Sequence, residues 1–251
     1  MKKSYFSLIY LCLFLNNFLN AQNFEGGLFV GASTYNGDVD VTPRNFLPQM
    51  REAVGVFGRY SLNNTWSVRA NMFYGHLYGD EKKYPSSDYR GQRGFSFNTT
   101  LTEFSLQAEW SFLNFDSDFS LDKENPFISF YGFGGVGGLN FNPKTDFNEP
   151  NRFFDNVSAD KNERFAKTVF VIPFGMGVKI NITDPLSIGL EGGIRKTFTD
   201  YVDGVSKVLN SKSKDYYMFS GITLTYHFQQ QGGWLGNGLN QRRRRSGCPT
   251  F

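Results

Sequence analysis

Residues 102–112 read T-E-F-S-L-Q-A-E-W-S-F, and the alternation in this stretch decides the fold class. Phe104, Leu106, Ala108, Trp110 and Phe112 share one parity; Glu103, Ser105, Gln107, Glu109 and Ser111 share the other. Side chains alternate across a β-strand with period 2, so the segment has one wholly apolar face and one wholly polar face. A water-soluble sandwich can carry one strand of this kind. Several of them, each about ten residues long and behind a secretory signal, describe a barrel with lipid outside and polar groups inside.

Seven companion segments fit that description. Residues 24–34 are glycine-rich and weakly patterned. Residues 53–60 set Val54, Val56 and Tyr60 against Phe57 and Arg59, and residues 66–78 set Trp66, Val68, Ala70, Met72 and Tyr74 against Ser67, Arg69 and Asn71. In residues 127–140 glycines blur the two faces. Residues 168–180 carry Phe170, Ile172, Phe174, Met176, Val178 and Ile180 on one side. Pro173 within them lacks a ladder donor and predicts a bulge. Residues 186–197 place Leu186, Ile188, Leu190 and Ile194 opposite Glu191 and Arg195, and residues 216–228 place Ile222, Leu224, Tyr226 and Phe228 opposite Thr223, Thr225 and His227.

The connections alternate short (61–65, 181–185) and long (35–52, 79–101, 141–167, 198–215), as the two ends of an outer-membrane barrel do. The stretch 113–126 is long for the short side, and acidic. Trp66, Trp110, Tyr226 and Phe228 fall where interfacial aromatic girdles are expected. The expectation is an all-β, transmembrane, antiparallel up-and-down β-barrel of eight strands with a filled lumen; ten strands remain open if residues 91–100 add a hairpin.

The start of the chain supports the same destination. It opens M-K-K, runs apolar through residues 5–15 and reaches L-N-A-Q at 19–22, which reads as a signal peptide over residues 1–21. The barrel then occupies residues 22–228 and a basic tail residues 229–251. No stretch approaches the 18 consecutive apolar residues of a spanning helix. Aromatics make up 18% of the chain and 27 residues are glycine, which suits strands and tight turns. One of the two cysteines, Cys12, leaves with the signal, so an intramolecular disulfide is excluded. The net charge of +3 is less than Arg242, Arg243, Arg244 and Arg245 supply together, so no broad basic surface speaks for nucleic acid.

Arg59, Arg69, Glu103, Glu109, Lys179, Glu191 and Arg195 all fall on the inward parity. Their signs nearly balance, which predicts a mutually paired polar plug; the competing reading is an ion or proton path. His76 and His227 are the histidines, and no Ser-His-Asp spacing is visible around either, so no catalytic residue and no enzyme are expected. D-S-D-F-S-L-D at 116–122 lacks the glycine and terminal glutamate of a calcium loop, so neither metal nor cofactor is expected. The tail, Gln/Gly-rich and then Arg-rich, is a solvated segment or an electrostatic dock for an acidic partner or anionic lipid.

The run R-K-T-F-T-D-Y-V-D-G-V-S at 195–206 resembles the signature of the PorG family, and F-V-G-A-S-T-Y-N-G-D (29–38), Y-G-F-G-G-V-G (131–137) and I-P-F-G-M-G-V-K (172–179) are similar to other parts of it. The family-like core is Lys196, Thr197, Phe198, Thr199, Asp200 and Tyr201. The resemblance implies a non-enzymatic outer-membrane barrel of the type IX (Por) secretion system in Bacteroidota, tied in gliding species to motility. It implies contact with the periplasmic ring lipoprotein PorK and its partner PorN. The family carries no catalytic residue to transfer. Topology alone places the partner contact on Asp116, Asp118, Asp122 and Glu124 and on Arg242, Arg243, Arg244 and Arg245. The motif itself falls on the opposite, long-loop side: either it packs inward and closes the barrel top, or it meets another outer-membrane component. The rival expectation is a small barrel acting in surface attachment or envelope integrity through its outer loops.

Overall fold

A computed structural model describes residues 24–36, 49–85, 87–88, 91–92, 94–115, 127–147, 157–158, 166–183, 185–199, 201–205 and 215–228. The expected signal peptide (1–21), the acidic stretch 116–126 and the tail from residue 229 lie outside them. Eight strands form one closed barrel in chain order. They are β1 (Phe24–Asn36), β2 (Arg51–Ser61), β3 (Trp66–Asp80), β4 (Ser96–Phe115), β5 (Ile128–Asp146), β6 (Thr168–Thr183), β7 (Leu186–Thr197) and β8 (Tyr216–His227). Every pair is antiparallel, and β1 pairs with β8 from Glu25↔His227 to Asn36↔Tyr216, which closes the sheet. Residues 96–100 are the first part of β4 and not an added hairpin, so the strand number is eight.

The expected faces hold. Leu28, Val30, Val56, Val68, Met72, Phe104, Leu106, Val136, Phe174, Met176, Leu190 and Ile222 all point outward and are exposed. Between them they make a continuous apolar belt around the barrel. Arg59, Arg69, Glu103, Glu109, Glu191 and Arg195 point inward and are buried. Only a hydrocarbon surrounding matches an exterior of this kind, because in water the belt would be a vast unpaired apolar patch. At the short-turn end the belt closes on aromatic rings. Trp66 and Trp110 stack at 6.2 Å, and Phe228 sits 5.7 Å from Phe24 and 5.2 Å from Tyr226.

At the long-connection end the strands outrun the belt, and here they are longer than their pattern suggests. On β4 the outward positions change from Phe104 to Thr102, Thr100 and Asn98; on β5 they change from Val136 to Asn140, Asn142 and Lys144. The inward positions change the other way, to Phe97, Leu101, Leu139 and Phe141, all buried. Inside the bilayer the barrel is apolar out; above it, β3, β4 and β5 continue as a water-facing barrel, apolar in. That reversal is why residues 96–101 and 141–146 look like loop when judged by the lipid-facing pattern.

Pro173 opens the ladder without shifting it. The β5–β6 pairs run Gly134↔Phe174 and then Gly137↔Val171 in one register, so no bulge forms there. The register shifts lie at Ser111/Leu113 on β4 and at Asn181/Thr183 on β6. One glycine is set by packing: a Cβ on the inward-facing Gly27 would come within 2.2 Å of the Phe57 ring, which fills the lumen beside it.

The belt makes a direct prediction. Leu106 is 58% exposed, and a Leu106→Arg change puts a charge near the middle of the hydrocarbon. Unfolding from lipid vesicles should show a loss of about 2–4 kcal/mol, whereas Asn142→Arg, beyond the belt, should change stability by less than about 1 kcal/mol. Equal effects at the two sites would contradict the assigned lipid boundary.

Candidate functional site

The lumen is built in three layers, starting at the short-turn end with ions. Glu25 on β1 receives Arg59 Nη1 at 2.6 Å, His227 Nδ1 at 3.2 Å and Lys179 Nζ at 3.6 Å. Glu109 on β4 lies 2.6 Å from Arg59 Nε and 3.0 Å from Arg69 Nη1. Arg69 grips Glu191 with both terminal nitrogens, at 2.6 and 2.8 Å, and donates to Gln107 at 2.9 Å. The Tyr131 hydroxyl donates to Glu191 at 3.0 Å. Bidentate, charge-assisted bonds of this kind are what make burial of so many ions tolerable.

Aromatic rings form the second layer. Arg59 and Arg69 lie over Phe57 at 5.3 and 5.1 Å, and Arg69 lies over Phe133 at 5.3 Å. Arg195 lies over Phe219 at 4.6 Å and over Phe73 at 5.2 Å. Its Nε is 3.4 Å from Glu103, which also accepts the Tyr217 hydroxyl at 2.7 Å. A guanidinium against ring faces exchanges some of its hydration for quadrupole attraction. Among the described residues these two layers thus set Arg59, Arg69, Lys179 and Arg195 against Glu25, Glu103, Glu109 and Glu191, and their formal charges cancel.

The third layer is apolar and closes the long-connection end. Leu77, Phe97, Leu101, Leu139, Phe141 and Val171 pack there with Val202 and Val205 from the β7–β8 connection. A turn seats that connection: Gly204 N donates to Tyr201 O at 3.1 Å, and Gly204 takes φ +79°, where a side chain would be strained. Thr99 donates to Val202 O and Thr145 to Asp203 O, both at 2.6 Å. The Tyr35 hydroxyl sits between two carboxylates, 2.7 Å from Asp203 and 2.5 Å from Asp215. Asp203 and Asp215 accept in turn from Val205 N at 2.9 Å and Val202 N at 3.0 Å.

Of the family-like residues, Thr197 is buried and donates to Asp215 O at 2.7 Å; Thr199 accepts Tyr201 N at 3.3 Å. Phe198 is exposed against Phe170 at 5.8 Å, and Lys196 faces outward. Asp200 lies outside the described residues, as do Asp116, Asp118, Asp122, Glu124 and the four tail arginines. Within the run 195–206 it is Arg195, Thr197, Val202, Asp203 and Val205 that pack inward and cap the barrel, while Lys196 and Phe198 stay on the outside. Above the belt, Lys82 reaches Asp146 at 2.7 Å, and that hydrogen bond holds its ammonium above the usual lysine range.

Three contributions escaped the sequence. Glu25 sits in a strand whose glycines hide its parity. The apolar cap needs residues from five separate segments. The third is a Ser–His–carboxylate line: Ser187 Oγ lies 2.5 Å from His227 Nε2, and His227 Nδ1 lies 3.2 Å from Glu25. Asn181 Oδ1 lies at 2.5 Å from the same hydroxyl, a second acceptor that competes with the imidazole for its single proton. Ser187 is also fully buried. A nucleophile needs its oxygen open to substrate, and this burial closes it off. The line serves instead as a clip joining β6, β7, β8 and β1 at the barrel floor. His76, on the outer face, pairs with Glu52 at 3.1 Å.

Arg69 is the keystone of the ionic layer. Arg69→Met leaves Glu191 without its bonded cation and Glu109 with Arg59 alone, and unfolding should register a loss of about 3–5 kcal/mol. Adding Glu191→Leu should recover a large part of it; a double mutant that is worse than the single would contradict mutual neutralisation.

The chain is similar to the crystal structure of Neisserial surface protein A (11% identity, TM-score 0.44, covering 82% of this chain and 97% of that one). It is similar to Ail, the attachment invasion locus protein of Yersinia pestis (10%, TM-score 0.37, 80% and 97%), and to the outer membrane protein OprG of Pseudomonas aeruginosa (10%, TM-score 0.41, 82% and 97%). No curated protein matches the sequence. A family model does match, over residues 2–237: the chain belongs to the family described as "Domain of unknown function (DUF6089)".

Proposed function

We propose that the protein is a non-enzymatic outer-membrane barrel of the type IX secretion system, delivered by the signal peptide at residues 1–21, that anchors or contacts a PorK/PorN-like periplasmic ring. The observation that carries this reading is the filled lumen. Ionic, aromatic and apolar layers occupy it from floor to cap, so the barrel offers solute no passage and acts through what it presents at its two ends. That is the property of a membrane mount. The resemblance at residues 195–206 is what supports the type IX machine, and the inward packing of Val202, Asp203 and Val205 agrees with the alternative in which the motif closes the barrel top. A motif that caps the barrel has no need of a partner outside the cell, which leaves the short-turn end for the periplasmic ring.

The matched family span stops at residue 237, before Arg242, Arg243, Arg244 and Arg245. A contact shared by the family therefore falls better on Asp116, Asp118, Asp122 and Glu124. A second reading, surface attachment, is favoured by the extension of β3, β4 and β5 beyond the lipid belt, which builds an ordered platform on the outer side.

Gentle extraction from native membranes and co-purification separate the two. Ring lipoproteins should be recovered with the barrel, and reversing the four acidic residues to lysine should reduce that recovery to background while the barrel level stays constant. Undiminished recovery would place the contact elsewhere. Recovery of host matrix or complement proteins in place of the ring would favour the attachment reading.

A further inference from the structure

The run 195–206 carries two outward side chains that the barrel cap does not use. Lys196, the last outward residue of β7, is exposed, and Phe198 follows just past the strand end, 52% exposed. Across the ladder Lys196 pairs with Ile172 on β6 and Tyr216 on β8. Along its own strand the outward neighbour below is Ile194 and the one above is Phe198. Phe198 in turn packs on Phe170 of β6, ring centroids 5.8 Å apart. A cation thus leaves the wall with apolar or aromatic neighbours on all four sides. No carboxylate pairs with it among the described residues, and the Tyr216 hydroxyl beside it has no hydrogen-bond partner among them. The strand sets its depth. Lys196 stands ten residues up β7 from Leu186, which pairs with Tyr226 in the girdle of the short-turn end. At about 3.3 Å per residue and a tilt of about 40°, that is a climb of roughly 25 Å, the height of the apolar band of such a barrel. The ammonium therefore emerges where hydrocarbon gives way to headgroups at the long-connection end.

We infer that Lys196, Tyr216, Phe170 and Phe198 form a seat for a phosphate-bearing lipid of the outer leaflet. A lysine on a lipid-facing wall is costly to leave without an anion, and its long stem lets the charge reach the headgroup level. An anionic lipid supplies the counter-charge at that level. The ammonium offers a phosphate a point charge with three donors, and the Tyr216 hydroxyl offers one more. The Phe170 and Phe198 rings bridge β6 and β7 and give the top of an acyl chain an apolar surface to lie on. The other exposed lysines of this side stand in the water-facing part of the wall. Lys144 lies two residues past the outward-facing Asn142, and Lys167 donates to Asn142 Oδ1 at 3.1 Å. The inference takes the long-connection end as the outer side and does not require the type IX assignment. It gives the outward half of the motif a role that the cap leaves unfilled.

The test uses the purified protein, tail included, in phosphatidylcholine nanodiscs doped with a photoreactive phosphatidic acid whose diazirine sits near the top of one acyl chain. The matched control is the diacylglycerol with the same chains and diazirine and no phosphate. Cross-linked residues are read by peptide mass spectrometry. Phe170 and Phe198 should be labelled saturably by the phosphatidic acid and at least about fivefold less by the diacylglycerol. Lys196→Gln should lower the labelling by a similar factor, Lys196→Arg should keep it, and Lys144→Gln should leave it unchanged. Equal labelling by the two probes would make the patch part of the ordinary lipid shell, with Lys196 reaching only for water, and would overturn the inference. Labelling that survives Lys196→Gln, in a variant with the gel mobility of the folded barrel, overturns it as well; if that variant does not fold, the two probes on the unaltered protein decide alone. Loss of labelling in excess inorganic phosphate would reveal an anion site open to water and overturn a lipid seat. The basic tail is present in every sample and its labelling is read on separate peptides. None of these outcomes alters the co-purification result, so the lipid seat and the assigned machine stand or fall separately.

Discussion

No backbone group can be left open to hydrocarbon, where an unpaired N–H or C=O has no water to turn to. The rest of this structure follows from that constraint. A sheet in lipid must close, and β1 closes it on β8 along twelve successive pairs. Closure with eight strands fixes a lumen only as wide as side chains, so the lumen has to be filled. Whatever fills it is cut off from water, so every ion inside needs a counter-ion or hydrogen-bond donors. The Arg59–Glu25, Arg59–Glu109, Arg69–Glu109 and Arg69–Glu191 contacts are the consequence.

The filling is not uniform, and its order has a physical logic. Ions occupy the floor, where short turns hold the strands closely and four of them can be clipped through Glu25, His227, Ser187 and Asn181. Arg195 bridges from ions to rings by pairing with Glu103 while lying over Phe73 and Phe219. Above it the wall leaves the bilayer, water returns outside, and the interior becomes an ordinary apolar core. The β7–β8 connection drops into that core, its own polar groups satisfied by Thr99, Thr145, Tyr35 and Asp215.

Much of this was legible in the sequence, and the boundary of what was legible has a cause. Where lipid lies outside and ions inside, as on β4 from Phe104 to Trp110, alternation has a large amplitude and a known sign. Strand number, faces and inward charges could all be read from it. Where the sign reverses, at Phe97, Leu101 and Phe141, the same period signals the opposite environment, and a reader tuned to lipid takes strand for loop. Glycine removes the signal altogether, which hid Glu25 on β1. Contacts between distant segments, such as Tyr35 with Asp203, have no periodicity to betray them. The expected bulge at Pro173 is a further case. A missing donor need not shift the register, because the lost bonds between β5 and β6 are bounded by intact pairs on either side.

The central claim is that the barrel is closed along its axis and works through its ends. Single-channel recording of the purified protein in planar bilayers tests it most directly. The account predicts no steady conductance above the bare membrane at any applied voltage the bilayer survives. A stable, ohmic conductance that scales with the amount of inserted protein would contradict it, because no ion can cross three filled layers without one of them standing open.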